Sequence, residues 1–249
     1  MEKISAVIIT LNAQSHLDKC LDSIKSLVDE TIIVDSGSID KTLDIAKKHD
    51  ARIFRQDWLG FAGQKNFGIA KAKNKWVLSL DADEIINPEL EKNIKKADLN
   101  TYDGFYLSRR NYFGKKWIAH CGWYPDYQLR LFRADKMNFE KKEVHEIIKS
   151  VGKIGILPGD LIHYTYKDDK EYFKKFANYT TLDAKFLFSK KKKWSVVYQI
   201  GKPIKEFWQM YIEKKGILDG FTGLKVCLFS AYYRFIVAAK LKELNAHRN

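Results

Sequence analysis

Apolar positions in the first ninety residues fall into short runs separated by stretches with helical spacing. Ala6-Val7-Ile8-Ile9-Thr10 is a β-like run, and the next apolar positions, Leu17, Leu21, Ile24 and Leu27, recur at steps of three and four. Such steps keep one face of a helix apolar. Thr31-Ile32-Ile33-Val34 predicts a second strand, closed by the turn Asp35-Ser36-Gly37-Ser38. Asp40 or Ser38 is placed to cap a helix carrying Leu43, Ile45 and Ala46. Residues 51–54 predict a third strand, 64–72 a helix, and Trp76-Val77-Leu78-Ser79-Leu80 a fourth, buried strand. Strand and helix alternating at this spacing imply βαβ crossovers and a parallel sheet.

The texture then changes. Residues 105–109, 128–132 and 154–163 read as strands joined by aromatic loops. Beyond about residue 168 the pattern is helical and basic. The lysine run 190–193 marks a break, Pro203 is placed to open another helix, and Asp219-Gly220-Phe221-Thr222-Gly223 is a turn before a last helix from Leu224 to Leu244. The expected organisation is an α/β catalytic domain over residues 1–165 and a helical region over 166–249.

Composition narrows the class. At 45% hydrophobic and 14% aromatic residues the chain can build a core, which argues against disorder. Cys20, Cys121 and Cys227 are far apart in sequence and odd in number, so neither a disulfide framework nor a zinc site is expected, and a reducing cytosol fits. The start runs into a strand without a signal-peptide pattern, and no apolar run is long enough to span a bilayer. The net charge of +13 is uneven: residues 1–163 hold 26 Lys/Arg against 23 Asp/Glu, and residues 164–249 hold 18 against 8. A basic final third suits a polyanionic surface, either anionic lipid or nucleic acid.

The chemistry gathers where strands end. Asp81-Ala82-Asp83-Glu84 puts three carboxylates at the end of the fourth strand, which folding alone does not require. Oxygen ligands spaced in this way suit a hard divalent cation carrying a diphosphate. Ligands of open α/β sheets bind at the carboxyl ends of strands, where Asn12, Asp35, Asp81 and Asp83 all fall.

In this order the motifs resemble glycosyltransferase family 2, inverting enzymes with a GT-A-type, Rossmann-like, mostly parallel sheet. The matching pieces are Ala6 to Asn12, Ile33-Val34-Asp35-Ser36-Gly37-Ser38-Ile39-Asp40-Lys41-Thr42, Gly63-Gln64-Lys65-Asn66-Phe67-Gly68-Ile69-Ala70 and the Asp81 to Glu84 cluster. Further along, Gly122 to Arg133 and Val144-His145-Glu146 resemble an acceptor-side half, closest to the bacterial branch that adds sugars, typically glucose, to the lipopolysaccharide inner core.

The resemblance implies roles. Thr10, Asn12, Asp35, Lys65 and Asp81 would form the nucleotide pocket. Asp83, Asp81 and His163 would hold Mn2+ or Mg2+, with Asp81 alternatively on the ribose and Glu84 a further candidate or a carboxylate at a helix start. An inverting transfer needs a base for the acceptor hydroxyl. Glu146 holds the family's position, although many members have Glu-Asp where this chain has His-Glu, and Asp126 is the rival. Trp123, Tyr124 and Arg130 would bind the acceptor, with core packing and salt-bridged faces as the alternatives.

The expected reaction moves a hexose, glucose by resemblance, from a UDP-linked donor to a lipopolysaccharide-core or related glycolipid. The expected location is peripheral to the cytoplasmic face of the inner membrane, with a homo-oligomer as a further option. Lysines interleaved with aromatics across 185–242, and the last helix with Phe229, Tyr232, Tyr233, Ile236 and Val237, suit a membrane surface. Packing of that apolar stripe on the catalytic domain or on a second subunit is the alternative. A nucleic-acid-binding protein is the second reading, although no recognition motif accompanies the basic region. A nucleotidyltransferase is excluded because Thr10-Leu11-Asn12-Ala13-Gln14 has no glycine-rich phosphate loop.

Overall fold

The structure, a computed structural model, describes residues 2–140, 147–150 and 152–246. The chain divides into two compact units, residues 1–109 with 126–163, and residues 110–125 with 164–249.

The first unit begins with the alternation seen in the sequence: β1 (Ile4–Thr10), α1 (Leu17–Ile24), β2 (Glu30–Asp35), α2 (Thr42–Lys48), β3 (Arg52–Arg55), α3 (Phe61–Ile69) and β4 (Trp76–Asp81). Strands β3, β2, β1 and β4 lie side by side in that order, all parallel. Helices cover the faces of such a sheet, so its inner strands are buried on both sides and apolar throughout. β1 and β4 follow this rule: Ile4, Ala6, Val7, Ile8, Val77, Leu78 and Leu80 are inaccessible to solvent. Helix α3 sits very close to the sheet at Gly68, where a Cβ would fall 2.4 Å from Val7 Cγ1 and 2.9 Å from Val34 Cγ2.

After β4 come β5 (Glu84–Ile86), α4 (Pro88–Lys95), β6 (Gly104–Phe113), β7 (Lys116–Trp117), β8 (Asp126–Arg133), β9 (Met137–Glu140), β10 (Ile147–Ser150) and β11 (Ile154–Tyr166). The sheet continues beyond β4 in the order β8, β6, β11, β5, now with antiparallel pairings of β4 with β8, β8 with β6, and β11 with β5. Strands β9 and β10 pair separately as a hairpin. Asn87 caps α4 by accepting from the Leu90 N–H at 2.8 Å, with Pro88 at the first helical position. The helix expected at 42–46 begins at Thr42 without a side-chain cap on its flanking residue. Asp40, one residue earlier, instead accepts from the Thr42 N–H at 3.0 Å.

The second unit is mainly helical: α5 (Asp169–Ser189), α6 (Val196–Trp208), a π turn at Gln209–Glu213, a 3-10 turn at Gly216–Asp219, and α7 (Gly220–Ala246). Asp168 and Ser195 cap α5 and α6 through their side chains. The lysines at 190–193 do separate two helices. Pro203, however, lies inside α6 and does not open it, because the cap at Ser195 starts the helix two turns earlier. Val226, Cys227, Val237, Ala238 and Leu241 of α7 are buried, and Phe229, Tyr233 and Ile236 pack against the second unit's own core. Among the described residues no helix is long and apolar enough to cross a membrane.

Candidate active site

Parallel register decides which residues share an edge of the first unit. Thr10 is opposite Asp35 and Ile9 is opposite Asp81, so β1, β2 and β4 finish together and their following loops adjoin. Asn12, Asp35 and the Asp81–Glu84 segment therefore lie along one sheet edge.

The loops after β1 and β2 are laced to one another. Asn12, in the left-handed region at φ 52°, donates its N–H to Ser38 Oγ at 2.8 Å and accepts from the Ile39 N–H at 3.0 Å. Ala13 N–H donates to Thr42 Oγ1 at 2.8 Å, and Gln14 N–H to Asp40 at 3.2 Å. Buried Asp35 organises the second loop by accepting from the Thr10 hydroxyl at 3.0 Å, the Gly37 and Ser38 N–H groups at 3.0 and 2.9 Å, and the Ser38 hydroxyl. Burial pushes the Asp35 carboxyl up, but the hydrogen bonds from Ser38, Gly37 and Thr10 outweigh it and hold the group below the usual carboxylate range.

The carboxylates after β4 have separate fates. Asp81 is gripped by two cations: Lys65 Nζ lies 3.0 Å from Oδ1, and a terminal nitrogen of Arg130 lies 2.5 Å from Oδ2. The same Arg130 nitrogen is 2.5 Å from Glu84 Oε1. Glu84 is fully buried and begins a strand, where a helix start was the alternative, and its other oxygen accepts the Asp81 N–H at 3.0 Å. Burial works against the charge on Asp81, yet Arg130 and Lys65 hold its carboxyl far below the ordinary range. Arg130, buried between the two acids, is driven up by them in turn against the opposing effect of burial.

Arg130 is thus not an acceptor-binding residue on an open rim. It is 4% exposed, because the antiparallel register that places Leu131 opposite Leu78 carries it beneath the end of β4. The salt-bridged alternative holds for Arg130, but in a buried setting that sequence reading did not specify; the acid-rich end of a buried strand was the available signal, since buried carboxylates demand a partner.

Asp83 is different. Its side chain is 34% exposed, and His163 Nε2 stands 3.6 Å from Oδ2. The β11–β5 pairing, His163 opposite Glu84, brings the histidine there from eighty residues away in sequence. Of the three ligands expected for a cation, the structure brings Asp83 and His163 together and commits Asp81 to Lys65 and Arg130. Among the described residues no three His, Cys, Asp or Glu side chains converge as a cation site. A carboxylate and an imidazole fit Mn2+ when phosphate oxygens complete the shell, and the Asp83 carboxylate alone would serve Mg2+, which characteristically takes one or two carboxylates beside substrate phosphates.

On the acceptor side, Glu146 lies outside the described residues. Asp126 is clasped by Arg109, whose Nε and terminal nitrogen lie 2.8 and 2.6 Å from Oδ2, while Gln128 Nε2 donates to Oδ1 at 2.7 Å. Arg109 also lies 3.6 Å from Glu84, so it links Asp126 to the buried acid.

Trp123 and Tyr124 belong to the second unit, where Trp123 packs against that unit's core and Tyr124 meets Trp117 edge-on at 5.4 Å. In the same unit, buried Asp219 accepts from the Ala119 and His120 N–H groups at 3.3 and 2.8 Å and contacts His120 Nδ1 at 3.1 Å. Cys121 and Cys227, distant in sequence, are buried free thiols with sulfurs 3.6 Å apart.

Comparison with known proteins identifies the family. Residues 5–151 match the family model described as glycosyl transferase family 2. The chain is 30% identical to a lipopolysaccharide core biosynthesis glycosyltransferase, LpsC, of Rhizobium meliloti, over 98% of this chain and 93% of that one. It is also 30% identical to an uncharacterized glycosyltransferase of Rickettsia typhi, over 98% of this chain and 88% of the relative. Among solved structures, S. aureus TarS (residues 1–349) shares the fold, with a TM-score of 0.50 and 15% identity over 99% of this chain and 92% of that one.

Proposed function

This chain belongs to glycosyltransferase family 2, and on that premise we propose that it transfers a hexose, glucose by motif resemblance, from a UDP-linked donor to a lipopolysaccharide-core or related glycolipid. The transfer is inverting and uses Mn2+ or Mg2+. One observation carries the reading: at the end of β4 the two acids of Asp81-Ala82-Asp83 are divided, Asp81 neutralised by Lys65 and Arg130, Asp83 half-exposed beside His163. Neutralising one acid lowers the local negative charge that would repel a diphosphate, and leaves the other to meet it through a cation.

Each residue has a task in this scheme. Asp83 and His163 would hold the cation. When bound, it supplies positive charge that offsets the charge developing on the departing diphosphate, where charge stabilisation raises the rate. Asp35 fixes the loop 36–42, and Asn12 ties it to the loop after β1, so that Thr10, Asn12 and Asp35 shape the surface for the nucleoside. Lys65, behind Asp81, sets that carboxylate's orientation toward the ribose side. Glu146 takes the acceptor proton. Asp126, engaged by Arg109 and Gln128, positions the strand edge.

The relationship to a lipopolysaccharide core transferase supports a glycolipid acceptor and, with it, work at the cytoplasmic face of the inner membrane. Thermal unfolding with a panel of nucleotide sugars, with and without Mn2+, tests the donor. A UDP-hexose that raises the melting temperature only with metal is the expected result. Equal stabilisation without metal would remove the role of Asp83 and His163.

A further inference from the structure

Helix α6 has no buried residue. Val196, Val197, Ile200, Ile204, Trp208 and, in the π turn that follows, Ile212 are all exposed, from 43% at Ile212 to 80% at Val197. From Val197 onward, steps of three and then four residues bring these side chains back to nearly the same side of a helix. The result is an apolar ridge about four turns long on one side of a single element. The opposite side is occupied: Tyr198 and Lys202 are half-buried, α6 packs along α7, and Glu206 bonds Arg234 of α7 at 3.3 Å. The helix is therefore anchored by its back while its apolar side faces solvent, a condition that marks an interaction surface.

Charge identifies the partner. Residues 190–221 carry eight lysines, at 190–193, 202, 205, 214 and 215, against three acids. Two of the acids are already engaged, Glu206 by Arg234 and Asp219 by His120. The lysines at 190–193, 205, 214 and 215 are exposed, so positive charge brackets the ridge at both ends and beside Ile204. A second copy of the chain would set the same positive charges against one another. An anionic bilayer satisfies both features together: ridge side chains enter the acyl boundary, Trp208 sits at the headgroup level, and the lysines meet lipid phosphates.

We propose that the α6 ridge, from Val196 to Ile212, is the surface by which this protein lies on an anionic membrane, with α7 packed behind it. As the means of meeting a lipid-embedded acceptor, the inference rests on the acceptor reading above. Its test needs neither donor nor acceptor, so the two can fail separately.

The test is co-sedimentation of the full chain with vesicles of phosphatidylcholine and phosphatidylglycerol in equal parts, and with phosphatidylcholine alone. Binding is expected to the mixed vesicles, to weaken steeply without phosphatidylglycerol, and to fall with added salt. The double substitution Ile200→Asp with Ile204→Asp should lower binding by about tenfold or more, because it places charge at the acyl boundary. Both sites are exposed, so near-UV circular dichroism should be unchanged. The α7 substitution Leu228→Asp, at an exposed position outside the α6 ridge, should leave vesicle binding within about twofold. Parental binding by the Ile200/Ile204 variant would overturn the proposal. So would a parent that ignores vesicles and elutes as a dimer which the double substitution makes monomeric, since the ridge would then belong to a second copy.

Discussion

One terminal nitrogen of Arg130 lies 2.5 Å from Asp81 and 2.5 Å from Glu84, so a single buried cation holds the two acids that flank Asp83. Removing it leaves carboxylates without their main compensation inside the protein. Arg130→Met is therefore expected to cost roughly 3–5 kcal/mol, the usual range for a broken buried pair. Urea unfolding measures it. A loss under about 1 kcal/mol, the size of an exposed pair, would mean that Lys65 and Arg109 compensate for the missing cation.

Asp83 is 34% exposed and stands 3.6 Å from His163. Asp83→Ala should abolish metal-dependent transfer while shifting the unfolding midpoint little, as surface substitutions usually change stability by about 0.5 kcal/mol or less. Transfer assays with Mn2+ alongside thermal unfolding check both halves, and retained turnover would exclude Asp83 from the reaction.

The two candidate bases separate by kinetics. Glu146→Gln should reduce kcat by about 10²–10⁴, the range for loss of a general base, with donor affinity preserved. Asp126→Asn should act on stability instead, because it releases Arg109 beside Glu84. If Asp126→Asn carries the larger loss of kcat, the assignments exchange.

The acid side of the stability profile follows from Asp81 and Asp35, both held below their ordinary values. A depressed carboxyl contributes stability that is fully present above the unfolded pKa, near 4, and is lost as pH falls from there toward the folded value. Neither group should change stability between about pH 5 and pH 8. Below about pH 4 the urea midpoint should fall, and less steeply in Asp35→Asn than in the parent. Parallel slopes would show that Asp35 carries no such linkage.

At Gly68 any side chain would enter Val7 and Val34. Gly68→Ala should therefore destabilise by roughly 1–3 kcal/mol through overpacking, despite the better helix propensity of alanine. The urea midpoint should drop with an unchanged slope; a stabilised variant would mean that α3 can lift from the sheet.

The parallel half of the fold was legible because its signals are local. The run from Ala6 to Thr10 and the spacing of Leu17, Leu21 and Ile24 each state their element within a dozen residues. The site was legible in part for the same reason: Asp35 and Asp83 sit at strand ends that the alternation predicts. What escaped depends on pairing between distant strands. Nothing near Arg130 in sequence says that β8 runs antiparallel to β4, and that register turns a candidate surface arginine into a buried one. The same limit explains Pro203, whose local reading as a helix start yields to the cap supplied by Ser195. It also applies to α7, since which apolar face of a helix is covered is decided by packing and not by composition.

The clasp between residues 12–14 and 38–42 has a kinetic consequence. Both loops are fixed by hydrogen bonds to one another, so little conformational freedom remains to be removed on association. Donor capture at this edge should then be limited by diffusion and orientation, with no slow rearrangement of the nucleoside surface preceding it.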